Sequence, residues 1–304
     1  MKILVTGGQG VVGSALIKEL DAKGYEVWNC DLKHDNMKQY IRGDVAEYRQ
    51  IADVFKKHRF DLVYHLAAEF GRWNGEDYYE QMWKTNAIGT KNLIRLQEEY
   101  DFKMIFTSSS EVYGDYPGIM SEQVMDQVEI KQLNDYAMSK WVNEMQILNS
   151  AAMQGTSTVR VRLFNVYGPG EYYSPYRSVA AIFMFKALFD LPYMVFLNHK
   201  RSSLYIDDCA KALGKLAESF KAGEVYNLAG IETHDIKSIS DMILSYLNKD
   251  DSQVRYLEAE PMTTRDKIAD VSKAVRDLGF DPQVSLVEGI ANTIEWMKQV
   301  YSVK

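Results

Sequence analysis

A tyrosine and a lysine lie four residues apart near the middle of the chain, in the segment Tyr136-Ala-Met-Ser-Lys140. On a helix this spacing puts both side chains on one face. An ammonium group beside a phenol favours the phenolate and lowers a pKa that is normally about 10. Such a phenol can act as a general base. The pair by itself is a common and mostly inert pattern, so its meaning depends on the residues around it.

Hydroxyl side chains precede this pair, in the run Thr107–Ser110, and are followed by Glu111. The run comes directly after an apolar segment with the pattern of a strand. A serine hydroxyl at a strand end can hydrogen bond to the oxygen of a sugar that lies beside the phenol. The alternative is a loop that is merely rich in serine.

Three glycines, Gly7, Gly10 and Gly13, follow the first apolar segment at intervals of three residues. Glycine permits a tight turn and lets backbone N–H groups approach a pyrophosphate, which the N-terminus of a following helix also favours. Asp31 ends the second apolar segment. A carboxylate there accepts hydrogen bonds from ribose hydroxyls and repels a 2′-phosphate. The sequence therefore predicts that a dinucleotide binds here, with NAD in preference to NADP. The nearby Lys33 leaves NADP open.

The elements that position these residues alternate along the chain. The predicted strands are Lys2–Thr6, Glu26–Asp31, Leu62–Leu66, Lys103–Thr107 and Ser157–Leu163. The predicted helices are Gly13–Lys23, Arg49–His58, Thr85–Tyr100, Tyr136–Gln154 and Val179–Phe189. This alternation predicts an α/β protein with a Rossmann-type, doubly wound parallel sheet and a smaller C-terminal α/β substrate-binding domain. We assign residues 1–165 and about 203–230 to the NAD-binding domain, and about 166–202 and 231–304 to the substrate-binding domain.

Composition narrows the class of protein. The 304 residues are 46% hydrophobic and 25% charged, with 19 glycines, which excludes disordered, collagen-like and disulfide-scaffold proteins. The net charge of −7 argues against nucleic acid as a partner. Cys30 and Cys209 are too few for a disulfide framework. We expect no targeting segment, no membrane partner, no metal and a cytoplasmic location.

Over essentially its whole length, the sequence resembles the extended short-chain dehydrogenases/reductases of the nucleotide-sugar epimerase/dehydratase family. The segments that carry the resemblance are Thr6–Gly13, Asp31, Gly43–Val45, His65–Ala68, Thr85–Thr90, Ser108–Gly114, Tyr136–Lys140, Arg162–Pro169, and Arg201 with Tyr205 and Asp208. The resemblance implies an NAD-dependent enzyme whose substrate is a UDP-, dTDP- or GDP-linked sugar. It also implies a homodimer, paired through the predicted helices Thr85–Tyr100 and Tyr136–Gln154.

The resemblance further implies roles for individual residues. The implied NAD contacts are Gly7, Gly10, Val11, Val12, Gly13, Asp31, Asp44, Val45, Leu66, Ala67, Ala68, Asn86, Ser108, Tyr136 and Lys140. The implied catalytic residues are Ser109, Glu111, Tyr136 and Lys140. The implied substrate contacts are Ser109, Ser110, Asn165, Arg201 and Arg265. Two alternatives stay open. Asp44 is at least as well suited to cap the next helix, and Arg265 can instead form a surface ion pair.

Two further arginines lie in predicted loops that are rich in aromatic residues. Arg72 belongs to the loop Glu69–Gly75, and Arg177 ends the loop Glu171–Arg177. We predict that both contact the substrate and that aromatic rings of the second loop contact a nucleotide base. For the first loop, the alternative is that it is only well packed.

The residues also bear on which reaction takes place. Tyr136 removes the proton of the sugar 4-hydroxyl with help from Ser109, and the C4 hydride passes to NAD. Simple 4-epimerases of the family usually have small or apolar residues where this chain has Ser110-Glu111. Dehydratases of the GDP-mannose type and UDP-glucuronate decarboxylases have Ser-Glu there, whereas dTDP-hexose dehydratases have Asp-Glu.

A carboxylate that faces C5 is what elimination requires, so we predict a nucleotide-sugar 4,6-dehydratase. A 4-epimerase like UDP-glucose 4-epimerase, a UDP-glucuronate decarboxylase and a non-catalytic NAD-binding sensor are the alternatives. The missing Asp leaves open which group protonates the departing 6-hydroxyl.

Overall fold

The computed structural model describes residues 1–302, which divide into two compact units. The first unit comprises Met1–Val112, Gln132–Arg162 and Ala210–Tyr226. The second comprises Tyr113–Lys131, Leu163–Cys209 and the residues from Asn227 onward. That the first unit binds the cofactor and the second the substrate stays a prediction.

Strands and helices alternate through the chain. The strands are β1 (Lys2–Thr6), β2 (Glu26–Asp31), β3 (Tyr40–Arg42), β4 (Leu62–His65), β5 (Lys103–Ser109), β6 (Thr158–Leu163), β7 (Val166–Tyr167), β8 (Tyr193–Phe196), β9 (Lys200–Ser202), β10 (Leu204–Tyr205), β11 (Val225–Leu228), β12 (Thr233–Asp235), β13 (Val254–Leu257) and β14 (Asp266–Lys267). The helices are α1 (Val11–Ala22), α2 (Tyr48–Lys57), α3 (Arg72–Asp77), α4 (Tyr79–Trp83), α5 (Gly89–Tyr100), α6 (Val124–Gln127), α7 (Asp135–Gln154), α8 (Val179–Leu188), α9 (Ile206–Leu216), α10 (Ile236–Leu247), α11 (Ser272–Leu278) and α12 (Leu286–Val300).

The central sheet has seven parallel strands in the order β11-β6-β5-β4-β1-β2-β3, with helices flanking it. The predicted Rossmann-type, doubly wound sheet is therefore confirmed. Ile3, Leu4 and Val5 of β1 are fully buried, as expected for a strand that is covered on both faces. The strand order reverses between β1 and β4, and ligands of such sheets bind beyond the carboxyl ends of the strands at this point.

The second unit contains three small sheets, which pair β7 with β10, β8 with β13, and β9 with both β12 and β14. Helix α8 packs against α10 and α12, and most of its apolar side chains are buried. Within residues 1–302, no helix has both the length and the apolar character needed to cross a membrane.

Two predicted elements need correction. The loop predicted for Glu69–Gly75 is wrong in its second half, because helix α3 begins at Arg72, directly after Gly71, which has a left-handed backbone. The helix predicted to begin at Thr85 is preceded by α4 and passes through a π-helical turn, Lys84–Ile88, before α5. Both differences lie beside predicted site residues, where π-helical turns are often found.

Candidate active site

The glycine-rich turn joins β1 to α1. Gly7 has φ +75°, and a Cβ atom there would lie 2.7 Å from the backbone N of Ala67. A Cβ on Gly13 would lie 2.3 Å from the carbonyl oxygen of Gly7, so both positions require glycine. Gly10 is the N-cap of α1, and no side chain of the described residues caps this helix, which begins with Val11 and Val12. Free N–H groups at a helix N-terminus fit a diphosphate.

Asp31 is held in place by backbone donors. Its carboxylate accepts hydrogen bonds from the N–H groups of Gln9 at 2.9 Å, Leu32 at 2.7 Å and Lys33 at 3.3 Å. The bond from Gln9 links the end of β2 to the glycine-rich turn. Each oxygen has two acceptor sites, so the carboxylate fits a ribose hydroxyl in addition.

Other predicted cofactor contacts follow neighbouring strands. After β4, the N–H of Leu66 donates to the Thr6 carbonyl at 3.1 Å, which places Ala67 and Ala68 beside the turn. Asp44 accepts the N–H of Ala46 at 2.8 Å. Because Glu47 is the N-cap of α2, the alternative that Asp44 caps this helix is wrong.

Asn86 lies in the π-helical turn and is almost fully buried. Its amide donates to the Glu69 carbonyl and to the Ser139 hydroxyl, both at 2.9 Å, and accepts the Glu69 N–H at 2.8 Å. Ser139 donates to the Tyr136 carbonyl at 2.8 Å. Asn86 therefore links the segment after β4 to the helix of Tyr136, and its contact with the cofactor stays a prediction.

Ser109, Glu111, Tyr136 and Lys140, which we call the catalytic cluster, are brought together in the first unit. The Tyr136 hydroxyl shares a hydrogen bond with the side chain of Ser109. The Glu111 N–H donates to Ser109 Oγ at 3.2 Å. Lys140 Nζ donates to the Thr107 carbonyl at 2.9 Å. The cluster thus combines the end of β5 with one face of α7, whose N-terminus Asn134 caps.

The electrostatics of the cluster differ from the sequence expectation. Burial raises the pKa of Tyr136 to about 12, and the charge of Glu111 adds to this while the hydrogen bond from Ser109 opposes it. Burial lowers the pKa of Lys140 to about 7, against the charge of Glu144. The expectation that Lys140 lowers the pKa of Tyr136 is wrong in this structure, because desolvation dominates both groups.

Sequence reasoning missed a buried charge network beneath the cluster. Glu144 is fully buried and accepts hydrogen bonds from Ser108 at 2.6 Å, Arg160 at 3.0 Å and Arg162 at 2.8 Å. These partners hold the pKa of Glu144 below its usual range in spite of burial. The sequence offered two signals. Glu144 lies two helical turns after Tyr136, and two arginines alternate with valines in strand β6.

Two predicted substrate residues flank Glu111. Arg72 Nε lies 3.7 Å from Glu111 Oε1, and the side chains are only 17% and 15% exposed. Ser110 is buried and begins a short 3-10 turn, Ser110–Tyr113. The structure therefore places Arg72 against a carboxylate of the catalytic cluster.

Three predicted substrate residues lie in the second unit. Asn165 has φ +41°, an unusual value for a residue other than glycine, and its amide donates to the Ser202 carbonyl at 3.1 Å. The guanidinium of Arg201 is buried and donates to the carbonyls of Lys200 at 2.8 Å and Arg265 at 2.5 Å. The side chain of Arg265 is exposed.

The loop Glu171–Arg177 packs onto its own unit. The ring of Tyr173 stacks on Phe185 with centroids 4.0 Å apart, and Tyr172 packs edge-on against Trp296. Arg177 Nε donates to the Tyr172 carbonyl at 3.1 Å, and burial lowers the pKa of its guanidinium. One face of Tyr173 is thus used for packing and is closed to a base.

Within residues 1–302, no group of three or more His, Cys, Asp or Glu side chains is arranged to hold a metal ion. A glycine-rich turn at the reversal of a doubly wound sheet, together with neighbouring Ser, Tyr and Lys side chains, defines the short-chain dehydrogenase/reductase class. The chain belongs to the NAD-dependent epimerase/dehydratase family, whose model matches residues 3–229.

Relatives within the family catalyse different reactions. The chain is 26% identical to dTDP-glucose 4,6-dehydratase of Salmonella typhimurium, with 97% of this chain and 92% of that protein covered. It is 27% identical to UDP-N-acetyl-alpha-D-glucosaminuronate decarboxylase of Bacillus cytotoxicus, with 98% of both chains covered. It also resembles the structure of Thermus thermophilus UDP-glucose 4-epimerase in complex with NAD, with a TM-score of 0.86, 25% identity, and 98% and 99% of the two chains covered.

Proposed function

We propose that the protein converts a nucleotide sugar through a 4-keto intermediate and that its reaction is 4,6-dehydration. The observation that carries this proposal is the position of Glu111, whose backbone donates to Ser109 and whose charge acts on the Tyr136 phenol. A carboxylate beside the group that binds the C4 oxygen is suited to remove the proton from the adjacent C5. The dTDP-glucose 4,6-dehydratase relative supports the same reaction.

The glycine-rich turn, Asp31 and Lys140 are the residues that would hold NAD. When bound, NAD supplies the hydride acceptor for sugar C4. Ser109 and Tyr136 bind the 4-hydroxyl oxygen between them, and the Tyr136 phenolate takes the hydroxyl proton when the C4 hydride leaves. Burial raises the pKa of Tyr136 to about 12, so the phenolate must first form at a cost in free energy by giving its proton to water.

We assign binding of the nucleotide diphosphate to the arginines of the second unit. Arg201 already donates to two carbonyl oxygens and pairs with Glu260 at 3.4 Å. Arg265 directly precedes β14 of the same short sheet and has an exposed side chain, and a guanidinium fork suits a phosphate. We therefore assign the main diphosphate contact to Arg265 and a supporting role to Arg201.

A 4-epimerase is the second candidate, and one observation favours it. Ser110 is buried in the place where dTDP-hexose dehydratases have an aspartic acid, so the neighbouring acid that would protonate the departing 6-hydroxyl is a serine here. An epimerase needs no such acid, because the 6-hydroxyl stays on the sugar.

The reactions are separated by incubating the purified, NAD-loaded protein with UDP-glucose, UDP-N-acetylglucosamine, dTDP-glucose and GDP-mannose. Dehydration gives a product that has lost one water and absorbs in alkali as a 4-keto sugar. A stable C4-inverted product without keto sugar would overturn dehydration in favour of epimerisation. Retention of full turnover by Tyr136→Phe would overturn the catalytic assignment itself.

We also propose a homodimer, which exposed apolar side chains on the first unit support. Met138, Met145 and Leu148 of α7 are 37%, 52% and 42% exposed and lie on one face of the helix, and Ile88 is also exposed. Met145→Lys is expected to shift the mass in light scattering from dimer to monomer, because it places a charge in the interface. A wild-type protein of monomeric mass would end the proposal.

A further inference from the structure

Gln9 lies within the glycine-rich turn and contacts two carboxylates of the segment that ends β2 and follows it. Its backbone N–H donates to Asp31 Oδ2 at 2.9 Å, and its side-chain amide donates to Asp35 Oδ2 at 2.7 Å. The same amide nitrogen also donates to the sulfur of Met37 at 3.8 Å. A single residue thus ties the turn to the chain beyond β2. We call the hydrogen bond between the side chains of Gln9 and Asp35 the strap.

Asp35 is the anchoring point of the segment 32–38. It is half-buried, whereas the other six residues of this segment are exposed. Its carboxylate also accepts the N–H of Met37 at 3.0 Å. The first two carbonyl groups of the segment accept hydrogen bonds from side chains of β3. The beginning of the segment is therefore held by the sheet, and its middle is held to the glycine-rich turn by the strap.

The strap joins the same two segments that the adenosine half of NAD would join. In a doubly wound sheet, the pyrophosphate lies at the glycine-rich turn and an acidic residue at the end of the second strand binds the adenosine ribose. In this chain these are the turn that contains Gln9 and the carboxylate of Asp31. A segment that the protein itself fixes loses less freedom when a ligand binds, and this difference acts mainly on the rate of release.

We infer that Gln9 and Asp35 are positioning residues that retain NAD by strapping the glycine-rich turn to the segment after β2. The inference rests on the assignment of NAD to this turn and to Asp31, and it does not depend on which sugar reaction takes place. The strap is a hydrogen bond to a carboxylate, a stronger type than one between neutral groups. Removing either side chain breaks the strap but keeps the bond from the Gln9 backbone to Asp31.

Variants separate the hydrogen bond from the charge. Gln9→Ala and Asp35→Ala are each expected to speed the release of NAD about fivefold, because each removes the strap. The double variant should also be about fivefold faster, since both residues act through one bond. Asp35→Asn keeps an acceptor oxygen and should stay within about twofold of the wild type. The matched control is Asp53→Ala, which removes an exposed carboxylate paired with Lys56 and should release NAD as the wild type does.

The test is the release of radiolabelled NAD from the full-length protein after a chase with unlabelled NAD. Calorimetric titration with ADP-ribose, which lacks the nicotinamide, should rank the variants in the same order, because the strap acts on the adenosine half. Asp31→Ala is the benchmark and should weaken binding of both ligands more than any strap variant does. Thermal unfolding of each variant establishes that it is folded.

The outcomes distinguish the strap from the assignment on which it rests. Wild-type release by Gln9→Ala and Asp35→Ala, together with weak binding by Asp31→Ala, would overturn the strap and leave the NAD assignment standing. Full affinity of Asp31→Ala for both ligands would overturn both. Additive effects in the double variant, or equally fast release by Asp35→Asn and Asp35→Ala, would show that the residues do not act through their hydrogen bond and would overturn the strap.

Discussion

The two units support their predicted site residues in different ways. In the first unit, the catalytic cluster stands on the end of β5 and on the long helix α7, and a buried network beneath it connects Glu144 to two strand arginines. In the second unit, Arg201 and Arg265 lie on or beside strands of two or three residues. Long elements hold a side chain more rigidly than loops and short strands do. The comparison indicates that the residues proposed for catalysis stand on longer elements than the residues proposed to bind the diphosphate.

The sharpest way to test this contrast is to remove the phenol hydroxyl of the cluster. We expect Tyr136→Phe to reduce turnover by about 10³-fold, since general acid–base catalysis contributes about 10²- to 10⁴-fold. Binding of NAD and of the nucleotide sugar should change less than threefold, as measured by titration. The exposed Tyr79→Phe is the matched control, with unchanged turnover expected. Equal losses of binding and turnover would contradict the assignment of Tyr136 to catalysis and not to binding.

The buried network is tested by Glu144→Gln. We expect the free energy of unfolding to fall by about 3 kcal/mol, because the variant leaves two buried guanidinium groups without their carboxylate. The matched control is Asp241→Asn in the second unit, whose partner Lys237 is exposed. Denaturant titration of the two variants measures the difference. Equal destabilisation would mean that the first unit gains no special rigidity from burying these charges.

Lys140 provides a test by pH. Burial lowers its pKa to about 7, so between pH 7 and its ordinary pKa the unfolded chain binds more protons than the folded one. Stability therefore rises with pH in this window. We expect the unfolding free energy of the wild type to gain about 2 kcal/mol relative to Lys140→Met between pH 7 and pH 9. The exposed Lys237→Met should give no such slope. If the difference in unfolding free energy between the wild type and Lys140→Met does not change with pH, the lowered pKa of Lys140 is refuted.

The smallest expected effect concerns the second unit. We expect Arg265→Ala to raise KM for the nucleotide sugar about tenfold, because one charge-assisted hydrogen bond to the diphosphate is lost. The value of kcat should stay within twofold, since we assign the arginine to the diphosphate and not to the reacting carbon atoms. Lys200→Ala, an exposed cation next to Arg201, is the control in steady-state kinetics. A drop in kcat with constant KM would place Arg265 among the catalytic groups.

Much of the fold, including the glycine-rich turn, could be predicted from the sequence because the relevant signals are local. The spacing of Gly7, Gly10 and Gly13 and the alternation of strands and helices each extend over a few residues. The loop predicted for Glu69–Gly75 was partly wrong, because the short helix α3 has no periodic pattern long enough to be recognised from the sequence.

What the sequence by itself determined is the doubly wound architecture, the glycine turn and the common face of Tyr136 and Lys140. Only the tertiary structure decided that Arg72 pairs with Glu111, that Glu144 is buried among arginines, and that Arg201 is bound by carbonyl oxygens. It also decided the direction of the pKa shift of Tyr136. These properties depend on burial and on contacts between distant segments, and neither can be read from spacing along the chain.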